Sequence, residues 1–434
     1  MRLASSRLGL SRLGPGMLLA ATSIGASHLL MSPEAGARFE YQLVWLVLLV
    51  HLLKYPAFEC APRWVAATGT SLLEAYERAP GPKRWAIWLG LADMTIQAIG
   101  LIAALVGLTA SFCVAALGTF DLRVWSLLLT ALLLTLLAAG HYRWLRGVNL
   151  ALLALLAVGT TIAFAGALPP LAAVPELVTP ALPTGSLILV SAILGFMPTS
   201  VAVSIWQSLW ALEHGRFRDT PDDSTTNDDT ARRSRRQLLA DGLFDLRVGY
   251  GFSAILAVLF VCLGAVLLHP RGLVPEGPDV AVVLSRLYTL VFQEYGLGEG
   301  IRQLVLMMAF AALFTTCYTM MDGFPRSFVA ARRVLRGHPS YGGRVDRVYW
   351  TFLLTVTFGG MAILSLVPDP AWLVKAVGAF GLVFSPVYYV LNLWAVTRLV
   401  EDPDLRPGKV TSALAIAGIL AMVGTAVLLV TTTF

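Results

Sequence analysis

The chain has few charged side chains for its length of 434 residues. Only 13% of its residues are charged, whereas 57% are hydrophobic and the mean hydropathy is +0.74. Soluble domains carry about 25% charged and about 45–50% apolar residues. This composition excludes an ordinary cytosolic enzyme, a disordered protein and a fibrous protein, and it indicates a chain that is solvated mainly by lipid.

Cysteine pairs and nucleotide-binding motifs are also missing. The four cysteines lie far apart within apolar segments, which indicates neither a disulfide framework nor a zinc site. There is no G-x-x-x-x-G-K-[ST] motif and no soluble segment large enough to hydrolyse ATP. We therefore expect no enzyme activity, no cofactor and no nucleic-acid partner, and any transport must be secondary or facilitative. The net charge of +6 is typical of basic cytoplasmic loops.

Eleven apolar segments are long enough to cross a bilayer, since a transmembrane helix needs about 20 mostly apolar residues. The sequence thus predicts an all-α polytopic membrane protein, with residues 1–13 as a cytoplasmic N-terminus and a charged, flexible cytoplasmic loop at 213–242. The segments, numbered as spans 1 to 11, are 14–31, 42–67, 85–117, 123–140, 148–168, 185–212, 243–268, 300–323, 349–367, 372–397 and 410–433.

Basic residues lie mostly on one side of these spans, which predicts the orientation of the chain. Taking the N-terminus as cytoplasmic, most of the 32 Lys and Arg residues fall in cytoplasmic segments. The outer segments hold only Arg38, Arg123, Arg271, Arg286 and Arg302. The positive-inside rule then places the C-terminus outside. We expect a multi-pass protein of a bacterial-type inner or plasma membrane, with the lipid bilayer as its partner and its oligomeric state open.

Two spans are interrupted at matching positions. Span 1 has a run of small and polar residues at 21–28, and span 6 has Gly195 and Pro198 in its middle. Proline removes a helix donor and clashes with the preceding turn. For either span alone, a kink or a close-packing face is the alternative. Because spans 1 and 6 each begin a set of five, residues 14–168 and 185–397, the pair indicates an inverted-repeat secondary transporter with a midplane site.

Four stretches carry motifs of a known family. They are Gly14-Pro15-Gly16 with 35–41 after span 1, Ala67-Thr68-Gly69 with Leu72, Glu74 and Ala75 after span 2, Met197-Pro198 in span 6, and 321–324 at the end of span 8. In these stretches the chain resembles the NRAMP (natural resistance-associated macrophage protein) family of divalent metal transporters. The resemblance implies a LeuT-type 5+5 inverted repeat with broken helices 1 and 6, an eleventh helix at 410–433, and proton-coupled transport of Mn- or Fe-like ions by alternating access.

The residues aligned with the family's metal site differ from its motifs. Four residues, 25–28, stand where the family has Asp-Pro-Gly-Asn, and Thr199 replaces the His of its Met-Pro-His. The predicted substrate-binding residues are Gly25, Ala26, Ser27, His28, Gly195, Met197, Pro198 and Thr199, with His28 and Met197 as the metal ligands. Without a carboxylate, this set fits a soft or borderline transition metal, or a neutral or anionic organic solute, better than Mg²⁺.

Other polar side chains within the spans are candidate coupling or pathway residues, because each is costly in lipid when uncompensated. They are His51, Lys54, Asp93, Gln97 and Gln207. For Lys54 the structural alternative is an ion pair with Glu59 or Asp93. Lys375 is expected to snorkel to the outer interface, the alternative being a fixed charge that stands in for a bound cation. His28 is either a coupling group or ligand, or a neutral packing residue.

Three functions follow from these patterns. The first is a metal transporter in which spans 1, 2, 6 and 7 rock against the others around residues 25–28 and 195–199. The second keeps the fold and transports a small organic solute such as an amino acid, whose carboxylate a half-helix N-terminus could hold. The third is a non-transporting membrane protein of transporter descent, whose site would be packed shut by side chains.

Overall fold

The helices follow the apolar segments of the sequence. The computed structural model describes residues 19, 23–140, 142–213, 228–292, 298–341 and 346–433, and these residues contain helices and loops but no strand. In chain order the α-helices are α1 Ser32–Phe39, α2 Val44–Thr68, α3 Leu72–Glu77, α4 Trp85–Leu117, α5 Leu122–Ala139, α6 Tyr142–Gly166, α7 Val174–Val178, α8 Leu187–Phe196, α9 Val203–Glu213, α10 Asp228–Leu263, α11 Val280–Phe292, α12 Gly298–Leu335, α13 Arg347–Leu366, α14 Pro370–Trp394 and α15 Lys409–Thr433.

Short π- and 3₁₀-helical segments join or extend these helices. The π-helical segments are Ser27–Met31 before α1, Gly264–Leu268 after α10 and Ala395–Leu399 after α14. The 3₁₀ turns are Leu171–Ala173, His269–Arg271, Gly277–Asp279 and Pro403–Leu405.

Eight helices within the described residues are long and apolar enough to cross a membrane. A ninth span is formed if the pair 154–166 and 171–178, which is bent by 109°, is counted as one. Of the remaining predicted spans, span 6 consists of the separate helices α8 and α9. Span 1 lies partly outside the described residues, so the count of eleven stays a prediction.

Several helices extend beyond the predicted spans. Helical structure continues from span 1 to Phe39, and α10 begins at Asp228, inside the stretch predicted as a charged loop, of which 214–227 lie outside the described residues. At its end α12 continues to Leu335, where the i,i+4 ion pair between Asp322 and Arg326 supports the helix with 2.7 Å between the charged atoms. Hydropathy detects the membrane-embedded part of a helix, and it misses a polar extension.

The helix α11 has no counterpart among the predicted spans. Its buried apolar residues lie along one face at spacings of three, four, seven and eight residues: Val280, Ala281, Leu284, Leu287 and Tyr288. This spacing is that of an amphipathic helix. The helix is apolar, but with 13 residues it is too short to cross a bilayer.

Glycines bring four of the spans into backbone contact. A Cβ atom on Gly36 would lie 2.0 Å from the carbonyl oxygen of Val261, so span 1 rests directly on span 7. Likewise a Cβ on Gly195 would lie 2.0 Å from the carbonyl oxygen of Gly378, so α8 rests on α14. Small residues permit such close helix approach in membranes. These contacts fix the broken segments of spans 1 and 6 against their neighbours.

Candidate functional site at the breaks in spans 1 and 6

The predicted break in span 6 is present between α8 and α9. The last helical hydrogen bond of α8 runs from Met197 N–H to Ile193 O, and Met197 itself is extended at φ −103° and ψ 133°. Because Pro198 has no N–H, the carbonyl of Leu194 has no donor four residues ahead. The helix resumes at Val203. The break therefore leaves backbone carbonyls without helical partners in the middle of span 6.

The side chain of Lys54 fills this break. Its Nζ donates to the carbonyl oxygens of Thr199 at 2.7 Å, Leu194 at 3.1 Å and Gly195 at 3.2 Å, and the residue is fully buried. The three N–H groups of an ammonium are thus matched by three acceptors. The predicted site residue Gly195 thus binds the Lys54 ammonium through its carbonyl oxygen, and its Cα packs against Gly378.

The alternative ion pairs expected for Lys54 are wrong. The carboxylate of Glu59 accepts from Arg63 one turn along α2 instead. The carboxylate of Asp93 accepts from Gln97 Nε2 at 2.8 Å on each oxygen and from the Tyr388 hydroxyl at 2.8 Å. Both acids are therefore satisfied by other donors, and Lys54 turns to the main chain.

The break in span 1 lies at Gly25, where the chain bends before the π-helical segment. A Cβ on Gly25 would be 3.0 Å from the Thr316 hydroxyl oxygen of α12, so the bend is packed tightly against span 8. Ala26 and Ser27 follow and are buried. The Ser27 hydroxyl lies 3.0 Å from Ser23 O and 3.3 Å from Pro198 O, which brings the two breaks into contact.

A second cluster joins the predicted residues His28 and His51 through Ser253 of α10. His28 Nε2 lies 2.9 Å from the Ser253 hydroxyl and 3.0 Å from its carbonyl, and His28 Nδ1 lies 2.9 Å from the Ser27 hydroxyl. His51 Nε2 lies 3.3 Å from the same Ser253 hydroxyl, while His51 Nδ1 contacts Val47 O at 2.8 Å. Spans 1, 2 and 7 are therefore linked by one hydrogen-bonded chain of two imidazoles and two hydroxyls.

Asp93 and Gln97 border a small cavity next to the break. With a volume of about 20 Å³, the cavity has room for one water molecule. The side chains around it include the two predicted pathway residues of span 3, two hydroxyls of the break in span 6 and one hydroxyl of span 8, namely Asp93, Gln97, Thr199, Ser200 and Thr316. Trp206 and Phe324 also border it and meet edge to face with ring centroids 4.8 Å apart.

Two predicted residues are buried nearby without being joined to these clusters. Met197 is fully buried at the break. Gln207 is buried on α9, and its side-chain oxygen has no hydrogen-bond partner among the described residues. Throughout the described residues, no group of three or more His, Cys, Asp or Glu side chains is close enough to hold a metal ion.

Lys375 forms an ion pair that the sequence analysis did not predict. Its Nζ lies 2.7 Å from Glu34 Oε1, with side-chain exposures of 13% and 1%. The sequence analysis did not identify Glu34, Ser253 or Tyr388 as partners. Their only signal is a polar group within or beside an apolar segment, which does not reveal the residue it contacts.

Sequence and structure comparisons agree with this architecture. The sequence profile described as "Natural resistance-associated macrophage protein-like" (Nramp) matches residues 16–432. Uncharacterized protein PM0681 of Pasteurella multocida (strain Pm70) is 28% identical over 410 residues, which cover 89% of this chain and 85% of that protein.

Solved structures share the fold at low identity. A variant of the Eremococcus coleocola manganese transporter has a TM-score of 0.62 at 13% identity, covering 98% of this chain and 96% of that one. Mhp1, a nucleobase-cation-symport-1 family transporter with bromovinylhydantoin bound, has a TM-score of 0.55 at 13% identity and coverages of 96% and 91%. MhsT in complex with L-phenylalanine has a TM-score of 0.54 at 13% identity and coverages of 97% and 99%. Because the Nramp profile spans nearly the whole sequence, the chain belongs to the Nramp family.

Proposed function

We propose that this protein is a secondary transporter that moves divalent transition metal ions, such as Mn²⁺ or Fe²⁺, by alternating access with protons as coupling ions. The observation that carries the proposal is the contact between the two breaks, where the Ser27 hydroxyl meets Pro198 O at 3.3 Å. Paired broken helices that meet within a bundle are the usual substrate site of inverted-repeat transporters. Family membership and the likeness to a manganese transporter's fold support the choice of cargo.

The architecture that goes with this function is a 5+5 inverted repeat of eleven helices. Its repeats are residues 14–168 and 185–397, with 410–433 outside them. Spans 1, 2, 6 and 7 form the moving bundle. The distribution of basic residues supports a cytoplasmic N-terminus and an outer C-terminus in a bacterial inner or plasma membrane.

The proposed metal ligands are His28 and Met197, assisted by the Thr199 hydroxyl. Imidazole and thioether groups favour soft or borderline transition metals over Mg²⁺. His51, Asp93, Gln97 and Gln207 then serve as coupling or pathway residues. Asp93 is the proposed proton-carrying group, because it is a fully buried carboxylate beside a cavity that has room for a water.

A second candidate, transport of a small organic solute such as an amino acid, is favoured by one specific observation. A lysine amino group stands at the break in span 6, while the carboxylate that would neutralise a bound dication is missing from the aligned position in span 1. A basic, carboxylate-poor site suits an anionic or zwitterionic ligand.

Uptake into proteoliposomes distinguishes these functions. Vesicles containing the purified chain are tested with Mn²⁺, Fe²⁺ and Cd²⁺ and, in parallel, with a panel of amino acids. The proposal expects saturable metal uptake that His28→Ala and Met197→Ala reduce, with empty vesicles as the background. Uptake of an amino acid without metal uptake would support the second candidate. No flux of any solute would favour a non-transporting protein.

A further inference from the structure

We propose that Lys54 is a tethered cation, whose ammonium group occupies a monovalent-cation site built from the backbone carbonyls of the break in span 6. The site itself is the set of carbonyl oxygens of Leu194, Gly195 and Thr199, which lie 2.7–3.2 Å from Nζ. The inference rests on the proposed function only for its consequence in transport, because the occupancy of the site can be measured without any flux.

The three carbonyls are available because the helix breaks at this point. Leu194 O would normally accept from residue 198, but Pro198 has no N–H. Because Met197 is extended, the N–H of Thr199 is not placed to donate to Gly195 O as it would in a continuous helix. Val203 N–H donates to Ser200 O and leaves Thr199 O free of a helical partner. Buried carbonyls need partners, so these three require a donor from outside span 6.

The local electrostatics favour a cation at this position. Leu194 and Gly195 lie in the last turn of α8, and the C-terminal end of a helix carries a partial negative charge. Three acceptors around one nitrogen match an ammonium, whereas a neutral amine would direct its lone pair at one of the carbonyl oxygens. Unwound carbonyls and half-helix C-termini are also the groups that coordinate ions in broken-helix transporters.

Among the described residues, no carboxylate is hydrogen-bonded to Lys54. The two carboxylates expected as its alternative partners are held elsewhere, Glu59 by Arg63 and Asp93 by Gln97 and Tyr388. The main chain of span 6 therefore supplies the whole compensation for the charge. A buried charge is tolerated only with such compensation.

The tether has a consequence for the transport cycle. Lys54 lies on α2, so its ammonium connects span 2 to both sides of the break in span 6. A freely bound cation is then not needed at these carbonyls. The transported ion is held instead on the side of His28, Met197 and the Thr199 hydroxyl.

The test is chemical rescue of the Lys54→Ala variant, measured as thermal unfolding of the purified full chain in detergent. At constant ionic strength, choline chloride is replaced by methylammonium, sodium or potassium chloride. We expect a saturable rise in the Tm of Lys54→Ala with methylammonium or an alkali cation, and no such rise for the wild type. The matched control Lys54→Met fills the same space without charge, and we expect it to have a lowered Tm that no cation restores.

Two results would overturn the proposal. One is a folded Lys54→Ala variant whose Tm is the same in all four salts. The other is a Lys54→Met variant with the wild-type Tm. If Lys54→Ala is recovered only when methylammonium is present during purification, the proposal is supported. If Lys54→Ala is not recovered at all, the Tm values of Lys54→Gln and Lys54→Met are compared with that of the wild type. A lower Tm for Lys54→Met than for Lys54→Gln supports the site. Equal Tm values for the wild type and both variants exclude it. Metal uptake is assayed separately, so loss of the proposed function leaves these readings unchanged.

Discussion

Lys375 and Glu34 form a partly buried ion pair, with 2.7 Å between Nζ and Oε1. Glu34 also accepts from Arg38 Nε at 2.8 Å, and Arg38 in turn contacts Glu276. The pair connects α1, which extends span 1, to α14 of span 10. In the proposed transport cycle, α1 belongs to the moving bundle and α14 to the other spans, so the pair must separate when this side opens.

Removing Glu34 should be more harmful than removing Lys375. Glu34→Gln leaves the mostly buried Lys375 without its carboxylate, and breaking a buried pair in this way costs about 3–5 kcal/mol. Lys375→Met leaves Glu34 paired with Arg38, so its cost should be smaller. Thermal unfolding of both single variants and the double variant tests this order. A larger loss for Lys375→Met than for Glu34→Gln would contradict it.

Gly195→Ala should prevent correct packing of span 6. Its new Cβ would lie 2.0 Å from Gly378 O and 2.8 Å from Leu382 N, both of them backbone atoms that cannot rotate away. The expected result is a large loss of folded protein in size-exclusion chromatography. Gly251→Ala is the control, because nothing lies within 4 Å of its added Cβ. That variant should gain up to about 1 kcal/mol from helix propensity. Normal yield of Gly195→Ala would show that α8 and α14 are not in contact.

Ser253→Ala should weaken metal binding without removing a ligand. The hydroxyl lies 2.9 Å from His28 Nε2 and 3.3 Å from His51 Nε2, and it orients both rings. Loss of a group that positions a metal-binding histidine typically lowers affinity by about 10–100-fold. Calorimetry with Mn²⁺ or Cd²⁺ measures the change, and Ser253→Thr, which keeps the hydroxyl, is the control. Equal affinities for Ser253→Ala and the wild type would show that Ser253 does not position the metal ligand.

Asp93→Asn should separate coupling from binding. The Tyr388 hydroxyl donates to the Asp93 carboxylate at 2.8 Å, and the amide of the variant keeps an oxygen that can accept this hydrogen bond. The amide cannot bind and release a proton as a carboxylate does. We expect metal uptake into proteoliposomes to continue and to lose its response to an imposed proton gradient. Tyr388→Phe is the companion variant and should cost about 1–3 kcal/mol of stability, as for a hydrogen bond to a buried polar or charged partner. Uptake by Asp93→Asn that still follows the gradient would exclude Asp93 as the coupling group.

The sequence predicted the parts of this fold that depend on local composition. Apolar length located the spans, with 85–117 matching Trp85–Leu117 at both ends. Pro198 located the break in span 6, because a missing N–H has the same effect in any context. Motifs identified the Nramp family, whose profile covers these stretches except for Gly14 and Pro15. The small residues at 21–28 located the bend at Gly25.

The tertiary structure decided which polar groups meet. Lys54 contacts carbonyls about 140 positions away, and Lys375 contacts Glu34 across 341 positions. A local pattern cannot predict such partners, because an ammonium is satisfied equally by a carboxylate or by carbonyls. The low charged fraction of the sequence indicated a membrane protein, and the residues at 25–28 include no carboxylate. Only the folded chain shows that a lysine stands in the break of span 6, since helix packing determines which donor reaches the free carbonyls.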